Sequence, residues 1–233
     1  MYDKGGDYTH YNKAIVLFKS IKRPWLPILI TTKTSGWTLY LLAQAGISNC
    51  LAHKLNKSTK KEKKEIINRI QAINKEAIGL VQRLRNILGS SADEVEWRIY
   101  NAEAVTALFG HLNTEEGIEA ANKGLFIDSD NLPLKANLGS LILLKAKQAE
   151  QHGDTDERNG SIKKAEEIFL ELDQTKWDPG FVKYRLGRIR RLQGKFDEAI
   201  DYLKEAQKPK VRDVSNELIN EEIKKAQEND SRF

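Results

Sequence analysis

The chain has 233 residues, with 30% charged and 8% aromatic residues, only five prolines and no low-complexity tract, which suits one elongated domain or two small ones and excludes a chain disordered throughout. A formal net charge of +5 and a pI near 9.1 are mildly basic, short of what marks a nucleic-acid binder by charge alone. Cys50 is the single cysteine, which excludes an intramolecular disulfide framework, and MYDKGGDYTHYNK lacks a charged n-region followed by an apolar core, so the expected compartment is the cytoplasm.

Residues 7–21, DYTHYNKAIVLFKSI, read as a short helix with Asp7 as its N-cap and Ala14, Phe18 and Ile21 along one side. The stretch 24–52 carries one charge, Lys33, and is flanked by Lys19, Lys22 and Arg23 before it and Lys54, Lys57, Lys60 and Lys61 after it. A membrane span needs about 20 apolar residues in one helix. Here Pro24, Pro27 and the TTKTSG break forbid a continuous helix, and Thr38, Gln44, Ser48 and Asn49 interrupt the part after Gly36. The expectation is a loop followed by a buried helix over 36–55, with Trp37, Tyr40, Leu41, Ala45 and Leu51 in the core. An interfacial membrane segment is the alternative. Over 60–88, Ile66, Ile67, Ile70, Ile73, Ala77, Val81, Leu84 and Leu88 make one apolar helical stripe that Gly89 ends. The lysines that open it are either a solvated helix end or a contact surface, since positive charge disfavours a helix N-terminus.

Further along, a longer pattern emerges. In 178–209, Phe181, Tyr184, Leu186, Gly187 and Leu192 fall on a first helix, Gly194 allows a turn, Phe196, Ala199, Ile200, Leu203 and Ala206 recur on a second, and Pro209 closes the unit. Ala165, followed by Phe169 and Leu172, lies 34 positions before Ala199. Leu138-Gly139 lies 48 before Leu186-Gly187, and Gly117 lies 48 before Ala165, yet Ala104-Val105 and Leu138-Gly139 are again 34 apart. These offsets agree if about 14 extra residues lie between the two helices of the middle unit, with the polar QAEQHGDTDERNG as an exposed insertion. After Pro209, VRDVSNELINEEIKKAQEND is one more amphipathic helix, with Val214, Leu218, Ile219 and Ile223 on its apolar side, and 229–233 are expected to fray.

The order Leu186-Gly187, Gly194, Phe196, Ala199, Leu203, Ala206 resembles a tetratricopeptide repeat (TPR), a 34-residue helix-turn-helix unit that stacks into solenoids. The resemblance covers about 98–208, as repeats at roughly 98–131, 132–177 and 180–208, and extends loosely over 7–88. There Ala14, Phe18 and Ile21 resemble a second repeat helix, while Trp37 and Leu41 resemble first-helix anchors. It implies an all-α fold, a right-handed superhelical solenoid of antiparallel helix pairs. The implied organisation is an N-terminal helical region of degenerate repeats over 1–92, three TPR-like repeats over 93–210 with the insertion near 148–160, and a C-terminal capping helix and tail over 211–233. If 7–21 is half a repeat, its exposed end needs covering by the next segment, by further sequence or by another copy, and self-association through the N-terminal half-repeat is one of these expectations.

Chemistry finds no foothold in the residues. His10, His53, His111 and His152 are scattered without ligand spacing, Cys50 lies in an apolar helix, and there is no phosphate loop, nucleophile elbow or dinucleotide fingerprint. No catalytic residue, metal site or cofactor is expected, and the chain is expected not to be an enzyme. Binding is better motivated, because the resemblance implies a concave groove lined by the first helix of each repeat. Its positions here are Ala102, Glu103, Thr106 and Phe109, then Ala136, Asn137, Ser140 and Leu143, then Tyr184, Arg185, Arg188 and Arg191. The candidate peptide-binding residues are Thr106, Phe109, Asn137, Ser140, Tyr184, Arg185, Arg188 and Arg191, with the Asn137 amide able to donate to and accept from a peptide backbone at once.

Within 183–195, Lys183, Arg185, Arg188, Arg190, Arg191 and Lys195 carry no intervening acid, and guanidinium groups fork onto carboxylates or phosphates. The expected partner is therefore an acidic or phosphorylated peptide segment, held by a non-catalytic adaptor. The competing reading pairs these arginines with Glu166, Glu167 and Glu171 of the neighbouring helix. Repeats that clamp chaperone tails place lysine and asparagine where this chain has Ala102 and Thr106, then Ala136 and Ser140, so that role is not expected. Nucleic-acid binding through the lysines at 54–64 and the arginines at 183–195 is a second class, and assembly at a membrane surface through 24–52 a third.

Overall fold

The computed structural model describes residues 9–21, 34–110, 113–208 and 214–233. Ten α-helices follow one another, with no strand among the described residues: α1 (Thr9–Lys19), α2 (Thr34–Lys54), α3 (Lys60–Leu88), α4 (Ser91–Gly110), α5 (Thr114–Ile127), α6 (Leu132–His152), α7 (Thr155–Gln174), α8 (Pro179–Leu192), α9 (Phe196–Gln207) and α10 (Asn216–Gln227). They form two compact bodies that divide within α6, one reaching Asn137 and the other running from Leu138 to Phe233. The proposed Asp7 cap and the 24–33 loop lie outside the described residues. No helix among the described residues is long and apolar enough to cross a membrane.

In the first body, α2 packs on α1, α3 and α4, α3 on α4, and α4 on α5. The expected core residues of α2 are in place: Trp37, Tyr40, Leu41 and Ala45 meet Ala77, Leu80, Val81, Leu84 and Leu88 of α3, and Ala92, Val95 and Ile99 of α4. A second cluster joins Ile15, Ile47, Leu51, Leu55, Ile70 and Val105, with Cys50 half-buried beside it and its thiol pKa raised by burial. Helix α3 starts on a capping box. The Thr59 hydroxyl accepts from Glu62 N–H, and the Glu62 carboxylate accepts from the Thr59 hydroxyl and the Thr59 N–H, two bonds that lower its pKa. That box offsets the misplaced lysines at the helix start, of which Lys63 donates to the Phe109 carbonyl at 3.0 Å. Close approach is set by small residues: a Cβ on Gly46 would stand 2.7 Å from the Phe18 ring, and one on Gly124 2.5 Å from Leu134.

In the second body, α7 packs on α8, α8 on α9, and α10 on both α9 and α8. The periodic positions are buried at matching sites: Ala165, Phe169 and Leu172 on α7, then Ala199, Leu203 and Ala206 on α9, each pair 34 residues apart. Their partners match too. A Cβ on Gly139 would stand 2.8 Å from Phe169, and one on Gly187 2.7 Å from Leu203, which lies 34 positions after Phe169. The added residues of the middle unit are not a separate loop. They lengthen its helices, so that α6 and α7 have 21 and 20 residues where α8 and α9 have 14 and 12.

The reason lies in the chemistry of the run. Gly153, at φ 75°, stops α6 in a Schellman turn, with Asp154 N–H donating to Ala149 O and Gly153 N–H to Glu150 O. Asp154 then caps α7 through Glu157 N–H, and Asp156 and Glu157 sit in the first turn where the helix dipole favours acid. The same turn recurs after α8, where Gly194 at φ 77° puts Lys195 N–H on Arg190 O.

These contacts set opposite expectations for two glycines. Gly187→Ala overpacks the α8–α9 contact and lowers stability by about 1–3 kcal/mol. Gly160→Ala, on α7 with open space around it, raises stability by about 0.4–1 kcal/mol. Urea unfolding of both variants beside the wild type reads the pair, and a stabilised Gly187 variant would contradict the packing.

Candidate peptide-binding site

The predicted groove residues divide between the two bodies. In the first, Thr106 is buried and spends its hydroxyl on its own helix, donating to Ala102 O at 2.6 Å. Phe109 is half-buried, with its ring 6.1 Å from that of His53, and joins the second apolar cluster. Asn137 is half-buried and donates to Asn101 Oδ1 at 2.8 Å, while Asn101 donates to Asn49 Oδ1 at 3.3 Å, an amide chain linking α6, α4 and α2. A second polar chain, unforeseen in the sequence, runs from the Ser48 hydroxyl to Asn74 and from the Asn74 amide to Glu103. Burial raises the Glu103 pKa, and the Asn74 bond opposes that only in part.

In the second body, Ser140 and Tyr184 are buried, and Arg185 is half-buried with its guanidinium 4.9 Å from the Phe181 ring centroid and 5.8 Å from that of Tyr184. Acids absent from the sequence of α8 arrive from its neighbours. Lys183 meets Asp173 at 2.9 Å and Glu205 at 3.3 Å, and Arg190 meets Glu166 of α7 and Glu198 of α9. Glu222 of α10 takes Arg191 at 2.7 Å and lies 3.6 Å from Arg188. The pairing with Glu166 matches one of the acids named from the sequence, whereas Glu222 was hidden on a helix face that looks solvated.

Arg191 is the centre of the arrangement. It is 0% exposed, and its Nη1 donates at 2.6 Å to two main-chain carbonyls, those of Asp230 and Arg232, beyond α10. Its Nη2 is buried without a hydrogen-bond partner. The segment expected to fray is therefore held. Asn229, at φ 55°, ends α10 in a Schellman turn in which Asp230 N–H reaches Lys225 O. Ser231 O accepts from Arg158 Nη2 at 2.8 Å, and Phe233 N–H donates to Glu150 Oε2 at 3.0 Å. The Phe233 ring lies under two guanidinium groups, 5.9 Å from Arg158 and 5.6 Å from Arg188. Asp230 pairs with Arg232, whose side chain and N–H hold its pKa down to about 2. The ion pair is thus complete above the ordinary aspartate range and is lost as pH falls towards 2.

Arg158 and Glu150, themselves paired at 3.0 Å, belong to the added turns of α7 and α6. The site is built of two parts: an arginine row on α8 and a shelf made by the extra helix. No protein-family model matches the chain, and no match is found among the curated proteins.

Two measurements follow. Arg191→Met takes from buried Glu222 its nearest cation, leaving only Arg188 at 3.6 Å and Lys225 at 3.9 Å, and costs about 3–5 kcal/mol, and adding Glu222→Leu returns much of that loss; a double-mutant cycle in urea that shows no coupling would overturn the pairing. A raised carboxyl pKa in the folded state means that stability is lost as pH rises from the ordinary Glu value through the folded one. Glu103→Gln removes that loss, so its stability relative to the wild type is higher at pH 7 than at pH 4, as read by denaturant unfolding at both.

Proposed function

We propose that this chain is a non-catalytic adaptor, a right-handed superhelical solenoid of TPR-like helix pairs that holds a peptide segment of a protein partner. The observation that carries the reading is the way α8 and the α6–α7 shelf hold a piece of non-helical chain. Arg191 and Arg158 donate to three main-chain carbonyls, and two guanidinium groups flank one aromatic ring. Main-chain carbonyls belong to any peptide, so a surface that satisfies them with preorganised donors is suited to hold a segment from elsewhere. Support for the repeat architecture comes from the matched close approaches at Gly139 and Gly187.

The chemistry of the segment follows from the pairing of the cations. Lys183, Arg188, Arg190 and Arg191 each already meet a carboxylate, so an acidic ligand would have to replace Asp173, Glu166 or Glu222. A segment offering carbonyls and an aromatic side chain replaces none of them. The ligand class is therefore an aromatic-bearing peptide, and acidic peptides are the comparison.

Selection of a random peptide display library on the full chain and on Phe233→Ala tests the reading. The expected outcome is enrichment of a shared aromatic motif on at least one of the two, lost about tenfold or more when Arg158→Glu and Arg188→Glu are added. Enrichment of acidic sequences would support the adaptor role and overturn this ligand class. Failure of both baits, or capture unaffected by the charge reversals, would overturn the adaptor reading at this site.

A further inference from the structure

Everything that segment 230–233 places in the site is generic. It contributes the carbonyls of Asp230, Ser231 and Arg232, the Phe233 N–H and one ring. The side chains of Asp230 and Arg232 are paired with each other at 2.9 and 3.2 Å. The segment is also mechanically separate from α10, because the turn at Asn229 closes that helix before it. Leaving the site therefore costs α10 at most the capping bond from Asp230 N–H to Lys225 O. Arg191 keeps Glu222 when the segment leaves, so the vacated site would retain its main ion pair and offer open donors to any incoming carbonyls. Such a contact holds the chain closed yet can be exchanged group for group.

Resting on the adaptor reading above, we propose that residues 230–233 are a resident pseudoligand, which a partner segment of the same chemistry, main-chain carbonyls leading to an aromatic side chain, displaces to bind. A site occupied from within lowers the affinity for an outside segment by the fraction of time it stands open. A closed-to-open ratio of about ten weakens the partner about tenfold, and loosening the resident segment returns that factor. The device makes the adaptor's affinity adjustable by whatever competes for segment 230–233.

The experiment uses the full chain and a fluorescein-labelled, C-terminally amidated peptide, Glu-Asn-Asp-Ser-Arg-Phe, which copies residues 228–233. Polarisation titrations compare the wild type, Phe233→Ala, and Phe233→Ala combined with Arg158→Ala and Arg188→Ala. The Phe233→Ala chain is expected to bind the peptide about tenfold or more tightly than the wild type, and the triple variant to lose that gain. A peptide ending in Ala in place of Phe is expected to bind none of them. Circular dichroism melting of each chain separates opening from unfolding: Phe233→Ala keeps a cooperative transition. Equal affinity in the wild type and Phe233→Ala, or a folded Phe233→Ala chain that ignores the peptide, would overturn the proposal and leave the segment as a structural cap. If the display library then still enriches a motif equally on both baits, the adaptor reading survives that failure; if it enriches nothing on either, both fall together.

Discussion

A guanidinium group out of reach of water must be given acceptors or its helix cannot pack, and Arg191 imposes that demand on the whole C-terminal body. Replacing water around an isolated cation is far costlier than any single apolar contact returns, so only a charge-bearing, hydrogen-bonded partner makes its burial tolerable. Glu222 supplies the charge and accepts from Nε, and two carbonyls accept from Nη1, while Nη2 has no partner. The positions of α10 and of the chain beyond it follow from this one requirement. Apolar burial through Ile219 and Ala226 brings α10 to the surface of the body, but burial is non-directional. The ion pair is what selects one register of α10 against α8.

This also explains which parts of the architecture could be read in advance. Apolar positions at helical and 34-residue spacing are local and additive, and Trp37, Leu41, Phe169, Leu186 and Leu203 are buried where the pattern places them. The C-terminal helix is the instructive failure. Read by hydrophobicity, its inner side is Val214, Leu218, Ile219 and Ile223, yet Leu218 is 47% exposed while Glu222 is buried. The side Ile219–Glu222–Ala226 is an equally good helical stripe once Glu222 is allowed inside. What admits it is an arginine 31 positions earlier, which no window along α10 contains.

The same reasoning applies to the polar chains of the first body. Asn49, Asn101 and Asn137 are unremarkable singly, and Asn137 was legible only as an amide suited to meeting a peptide backbone. In the fold its donor goes to Asn101, and Ser48, Asn74 and Glu103 join by the same logic of buried polar groups finding one another. Sequence spacing states which face a residue occupies on its own helix. It does not state which residue of a different helix faces it, and these hydrogen bonds live entirely on that second question.

The middle unit carries the last step. Counting showed that its length departs from the period; only the capping chemistry of Gly153 and Asp154 shows that the surplus becomes helix. A regular repeat would end its two helices lower, and Glu150 and Arg158 would have no platform. With the added turns, those two residues reach the chain beyond α10 and close one side of the site that α8 opens on the other. The period accounts for the matched helix contacts, and the departure from it accounts for the contacts that Glu150 and Arg158 make beyond α10.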